Sequence, residues 1–230
     1  MFFLRTASLT LAMLSAALFA AEPQVLFNGK DLSGWEGQPG LWSVENGVII
    51  GQTTAEKPTK GNTFLIWRGG EMEDGELKFT VRLINTKNNS GVMYRGKELP
   101  NFVSSGYQCD INAGAENMAK LYDEKGRARV CMAGENVVWD KLDTGKFGKK
   151  ENKSVLTADE LKAAQREGWN EVRIVAKGNH VEHHLNGVKI LEFTDLEEEK
   201  RSKKGVIALQ LHAGAPMRVE FKDLVFTPAN

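Results

Sequence analysis

Glu76–Ile84 reads ELKFTVRLI. Leu77, Phe79, Val81 and Leu83 fall on one face, and Glu76, Lys78, Thr80 and Arg82 fall on the other. A period of two marks a strand with one face in a core and one in water. The same alternation recurs along the chain. In Glu171–Lys177, Val172 and Ile174 oppose Arg173. In Gly205–His212 (GVIALQLH), Ile207, Leu209 and Leu211 share a face, with Val206, Ala208, Gln210 and His212 on the other. In Arg218–Phe226, Val219, Phe221 and Phe226 alternate in part with charged residues. Many short strands and little helix predict an all-β fold, a two-sheet antiparallel sandwich.

Turn chemistry separates the runs. Gly69-Gly70, Asp74-Gly75, Asn89-Ser90-Gly91 and Lys177-Gly178-Asn179 are breakers. Asn46-Gly47 and Asn186-Gly187 suit type I′ hairpins, whose two central residues both need positive φ. One short inserted helix is expected after Thr157-Ala-Asp-Glu160, a capping box, with Gly168 ending it at C′. Gly145–Ser154 (GKFGKKENKS) reads as a basic loop, and 143–168 as an insertion on the sandwich. Glu197–Lys204 reads as a solvated charge run between strands.

The composition sets the class. Of 230 residues, 41% are apolar and 26% charged, enough apolar surface to build a core, which excludes disorder as the main state. Thirty basic and thirty acidic side chains cancel. A nucleic-acid partner held by a basic field is therefore not expected. Residues 1–21 have the form of a secretory signal peptide: Arg5, an apolar stretch from Ala7, and small residues at Ala20-Ala21. Residues 22–230 then form one domain, exported to the periplasm or the extracellular space, with no membrane span in the mature chain. Cys109 and Cys131 are too few for a disulfide scaffold or a thiolate zinc site. Neighbouring strands could bring them together, so a disulfide and two buried thiols are both compatible with the sequence.

Several segments, in order, resemble the 3-keto-disaccharide hydrolase domain family. They are Leu26–Trp35 (LFNGKDLSGW), Trp42–Val48 (WSVENGV), Asn89–Arg95 (NSGVMYR), Gly106–Ile111 (GYQCDI) and Lys120–Arg127 (KLYDEKGR). Gly168–Asn170 (GWN), Asn186-Gly187, Ile207–Met217 (IALQLHAGAPM) and Val219–Leu224 (VEFKDL) follow. The resemblance spans roughly residues 25–227. Two places depart from the family pattern: Gln-Cys-Asp after Tyr107, and Leu211, where many relatives carry an acid before the histidine. The resemblance implies a concanavalin A-like jelly roll whose concave sheet carries the site. It also implies cleavage of glycosides oxidised at carbon 3. There the ketone acidifies the proton at carbon 2, a base removes it, and the enolate expels the substituent at carbon 1. Water then re-adds in a hydrolase and does not in a lyase.

Such chemistry needs a base and a positive group at the developing enolate. Alternation puts Gln108 and Asp110 on one face of their strand, Met93 and Arg95 on one face of theirs, and Gln210 and His212 opposite the apolar stripe. The expected catalytic residues are His212 or Asp110 as base and Arg95 at the enolate oxygen. Gln108, Gln210 and Tyr122 are expected to bind sugar hydroxyls, with Glu124 and Arg127 at the rim or paired with each other. Each has a plainer alternative: a surface His212, an Asp110 that orients a loop, an Arg95 paired with Asp110. The sequence names no definite cofactor; a carboxylate-bound divalent ion near Asp110 and Glu124 is allowed. His183 and His184 point to opposite faces of a strand, and a turn before His180 argues against helical pairing with His184, so no His-rich metal site is assigned.

Two other carbohydrate-directed classes compete, and a structural or interaction protein of the envelope is a third reading. A retaining glucanase on this sandwich needs alternating acids in one strand, and Asp110 has none at the required spacing. A non-catalytic lectin-like module could stack sugars on Trp35, Trp42, Trp67, Trp139 or Trp169, although core packing explains a tryptophan equally well. The partner in either case is a sugar, and no oligomeric state follows from the sequence.

Overall fold

The computed structural model describes residues 22–84 and 88–229, so the leader expected at residues 1–21 lies outside the described residues. The strands run β1 (Gln24–Val25), β2 (Trp35–Glu36), β3 (Trp42–Glu45), β4 (Val48–Gln52), β5 (Thr63–Trp67), β6 (Gly75–Leu83), β7 (Ser90–Leu99), β8 (Val103–Ile111) and β9 (Leu121–Glu124). They continue as β10 (Ala128–Cys131), β11 (Glu135–Lys141), β12 (Phe147–Ser154), β13 (Asn170–Lys177), β14 (His180–Leu185), β15 (Val188–Asp195), β16 (Val206–Leu211) and β17 (Arg218–Pro228). The helix α1 (Ala158–Ala164) lies between β12 and β13.

Two sheets result. One has ten strands in the order β12-β11-β15-β14-β13-β6-β17-β4-β3, with β1 added on β17. The other has seven, in the order β10-β9-β8-β7-β16-β5-β2. Among the described strands only β11 and β15 pair in parallel. The apolar stripes lie where the alternation put them. Leu77, Phe79 and Val81 of β6 join Val172 and Ile174 of β13, and Ile207, Leu209 and Leu211 of β16, in one core cluster. Both Asn-Gly pairs form the expected left-handed turns, with φ of 51° and 77° at Asn46-Gly47 and 50° and 87° at Asn186-Gly187.

Polar links stitch the two sheets through this core. His183 of β14 is fully buried; its Nδ1 lies 2.7 Å from the Ala119 carbonyl and its Nε2 2.8 Å from the Tyr94 hydroxyl. The carbonyl can only accept, so Nδ1–H donates to it and the Tyr94 O–H donates to Nε2. Burial lowers the His183 pKa to about 4, against the partial support of the Ala119 carbonyl. Nearby, Arg127 reaches Asp123 at 2.7 Å, Asp195 at 2.7 Å and Glu197 at 3.2 Å. The Tyr107 hydroxyl also donates to Asp195, and the Trp139 indole N–H to Glu197.

Two expectations are corrected and one open alternative is resolved. Residues 147–154 form β12, an edge strand, and not a basic loop. Most of its side chains are exposed, so it has no apolar period to read, and its backbone pairing with β11 alone defines it. The capping box of Thr157 and Glu160 is present, but α1 stops at Ala164 and not at Gly168. Gln165 is already extended, and its amide donates to the carbonyls of Asn112 and Ala113. Cys109 and Cys131 are free buried thiols, each in register with Leu121 from opposite sides. A whole strand therefore separates them, about 10 Å between backbones, beyond the roughly 7 Å limit for a disulfide.

Candidate functional site

The outward face of the seven-stranded sheet carries the polar side chains. One registered row crosses five strands: Ile66 pairs with Ala208, Ala208 with Met93, Met93 with Gln108, and Gln108 with Tyr122. The next row begins with Phe64 opposite Gln210 and ends with Gly91 opposite Asp110. The face therefore grades from apolar on β5 to polar on β8 and β9. A hairpin covers the apolar end. Beyond a bulge in β7, the tip between β7 and β8 folds over so that Phe102 packs on Phe64, Ile66, Met93 and Ala208. The Phe64 amide donates to the Phe102 carbonyl at 2.8 Å. Arg68 holds the hairpin through two bonds to Glu98, at 2.6 and 2.9 Å.

At the polar end Asp110 is 4% exposed. It accepts from the Gln108 amide at 2.6 Å and lies 3.1 Å from the Lys120 ammonium. Burial raises the Asp110 pKa, and the Gln108 bond and Lys120 partly offset it. Burial likewise raises that of Glu124, which accepts from Asn62 at 3.2 Å. Asn62 also accepts from the amide of Ala213, tying the residue after His212 to the cluster. His212 is half-buried and lies near both Asp110 and Glu124. Its Nδ1 is 2.6 Å from the Ala213 carbonyl. Nδ1 must carry the proton there, which leaves the lone pair on Nε2.

Gln210 is fully buried, and neither its amide nitrogen nor its amide oxygen has a partner; the Gln108 oxygen has none either. Buried amides without partners each cost about 1–3 kcal/mol, so they are retained where they serve another purpose. Gly91 makes the room they need. A Cβ there would lie 2.5 Å from the Gln108 amide carbon.

Of the expected site residues, the structure brings together Asp110, His212, Gln108, Gln210 and Glu124, with Tyr122 beside Gln108. It does not bring Arg95. The bulge at Tyr94–Gly96 adds one residue against both neighbouring strands, and Arg95 there has φ of 53°. The alternation breaks, and the side chain runs to the end of the fold. It bonds there to the carbonyls of Glu73 and Gly178 and to Asp74. Arg127 is also elsewhere: it lies with Asp123, Asp195 and Glu197 and does not pair with Glu124. Lys120 and Asn62 were missed. Lys120, Tyr122 and Glu124 alternate in sequence, a period that would have found Lys120. Asn62, 62 residues from Glu124, left no local signal. None of the five tryptophans lies in this cluster: Trp35 and Trp67 are core, and Trp169 packs under Arg82 and Lys222.

The Lys120 ammonium lies 3.1 Å from Asp110, where a divalent ion held by Asp110 and Glu124 would have to compete with it.

Residues 22–227 match the model of the 3-keto-alpha-glucoside-1,2-lyase-like domain family. The chain belongs to this family. Membership makes it a carbohydrate-active protein. Solved structures share the fold. A candidate glycosyl hydrolase from Parabacteroides distasonis ATCC 8503 is 22% identical with a TM-score of 0.57, over 90% of this chain and 94% of that one. A Bacillus subtilis protein of unknown function with a galectin-like fold has a TM-score of 0.58 at 12% identity, over 91% and 96%. A Bacillus licheniformis beta-glucanase has a TM-score of 0.50 at 11% identity, over 93% and 100%. No curated protein matches. The jelly-roll sandwich is thus the fold of this lyase-like domain. Among the described residues no helix is long and apolar enough to cross a membrane.

Proposed function

We propose that this lyase-like domain cleaves glycosides oxidised at carbon 3. The observation that carries the proposal is the Gln210 amide, wholly buried and unpaired, on the row that runs to Asp110. An amide without partners, together with the unpaired oxygen of Gln108, suits a ligand rich in hydroxyls.

In this reading Nε2 of His212 takes the proton from carbon 2. The electron pair moves into the carbon 2–carbon 3 bond, and the carbonyl oxygen becomes an enolate. Lys120 takes the part first given to Arg95 and offsets that charge. Its ammonium has one donor left beyond Asp110 and Asn117. Asp110 positions Lys120 through the 3.1 Å contact. The enolate pair then returns, the bond from carbon 1 to the leaving oxygen breaks, and the departing alkoxide takes a proton from the imidazolium. Water adding across the resulting enone gives the free keto-sugar in a hydrolase; a lyase releases the enone. Gln108, Gln210 and Tyr122 hold sugar hydroxyls, and Glu124 forms the rim. The reading includes export on the leader at residues 1–21.

The test is product analysis. The purified protein is incubated with a 3-keto-glucoside and its unoxidised parent, in deuterated water, with and without EDTA. Aglycone release from the keto form alone, with deuterium at carbon 2 of the sugar product, supports proton abstraction and elimination. Release from the parent glucoside sinks it. Glycan binding with no release from either points to the lectin-like alternative.

A further inference from the structure

We propose that His180, Glu182 and Glu192 form a binding site for a divalent transition metal of the zinc class, on the outer face of the ten-stranded sheet. The strand geometry assembles it. On β14, His180, Glu182 and His184 alternate outward, while Val181, His183 and Leu185 are buried. Glu182 stands directly opposite Glu192 of β15, and His180 opposite Thr194. Helical spacing is thus not needed to gather these ligands.

The distances suit one ion. The Nε2 of His180 lies 3.8 Å from Oε1 of Glu182 and 3.4 Å from Oε1 of Glu192. All three ligand atoms lie within 4.8 Å of one another. Tetrahedral zinc with bonds of about 2.1 Å needs its ligand atoms about 3.4 Å apart. Each ligand also has an outer partner that fixes it. His180 Nδ1 is bonded to the Thr194 hydroxyl at 3.0 Å, which presents Nε2 to the ion. Glu182 is held through its other oxygen by His184 at 2.9 Å, and Glu192 through its other oxygen by Asn136 at 3.3 Å. Such outer partners are what give metal ligands their orientation and basicity.

The charge balance calls for a cation. Two carboxylates directly opposite on adjacent strands repel. Here the Lys189 ammonium sits between them, 3.2 Å from Glu182 and 2.9 Å from Glu192, on a side chain 43% exposed. An ion of charge two replaces that ammonium, which swings into solvent. Imidazole with two carboxylates and an open fourth position selects zinc-class ions over calcium or magnesium, which take oxygen ligands.

The experiment is calorimetric titration of chelator-washed protein with zinc chloride, repeated with cobalt(II) and read by its visible absorption. One ion per chain is expected, with the cobalt spectrum of a tetrahedral site. His180→Ala and Glu192→Gln should each weaken binding by about tenfold or more, and Thr194→Val by about tenfold. Lys189→Ala removes the competing ammonium and should tighten it. Circular dichroism of each variant checks folding. If His180→Ala does not fold, Lys189→Ala and Thr194→Val decide. Absence of saturable zinc binding overturns the proposal. So does binding that His180→Ala and Glu192→Gln leave unchanged, or that Lys189→Ala weakens.

Discussion

Acidification from pH 7 to pH 5 should destabilise the fold through His183. Its imidazole is fully buried between the sheets, accepts from Tyr94 and donates to Ala119, and burial holds its pKa at about 4. In the unfolded chain the value returns to about 6.5. Between those two values the unfolded state binds a proton that the folded state refuses. Stability from the neutral ring is therefore full above pH 6.5 and drains as the pH falls toward 4. Each pH unit in that window is worth about 1.4 kcal/mol, so about 2 kcal/mol is lost by pH 5. Asp110 and Glu124 act in the opposite sense, because burial raises their pKa values and the folded state then binds the extra protons. The comparison must therefore be between the parent and His183→Gln, in which these two terms cancel. Urea unfolding of both at pH 7 and pH 5 should show the parent losing about 2 kcal/mol more than the variant. Parallel losses refute the reasoning. If the variant does not fold, the ring resonances of His183 in the parent decide: titration near 6.5 in the folded protein has the same refuting force.

Four further outcomes follow from the site. His212→Ala should lower kcat on a 3-keto-glucoside by at least about a hundredfold, whereas Arg95→Met should lower the melting temperature and leave kcat within a few-fold; steady-state kinetics and thermal melts separate the two. Gln210→Leu should raise stability by about 1–3 kcal/mol, because it removes two unpaired polar atoms, and should cut kcat/KM sharply. Gly91→Ala should push the Gln108 amide out of place and raise KM with little change in melting temperature, read by kinetics and calorimetry. Glu98→Ala releases the hairpin from Arg68 and should speed hydrogen exchange at the Phe64 amide, which bonds to the Phe102 carbonyl.

The sequence showed what depends on neighbours a few residues away. Period two assigned the faces of β6, β13 and β16, and the Asn-Gly pairs announced their own hairpins. The capping box gave the helix start, because both of its bonds span three residues. What it hid depends on distant partners or on a broken period. β12 has no apolar stripe, since an exposed edge strand has none to show. Arg95 left the site face because one extra residue at the bulge ended the alternation just before it. Arg127 went to Asp195, 68 residues away, and not to nearby Glu124. Glu197 sits in a run that reads as solvated, yet it is 4% exposed, because Arg127 and Trp139 claim its carboxylate.

The strand β12 ends the ten-stranded sheet, and how it ends bears on what happens between molecules. Away from β11 no described strand pairs with it, so its amides and carbonyls stand as a template for another chain. Its sequence, FGKKENKS, puts Lys149, Lys150 and Lys153 on that template, and Lys149 and Lys150 are anchored inward by Glu135 and Asp140. A second copy arriving edge to edge would bring the same three cations against them. The basic segment thus opposes pairing of this edge with a copy of itself.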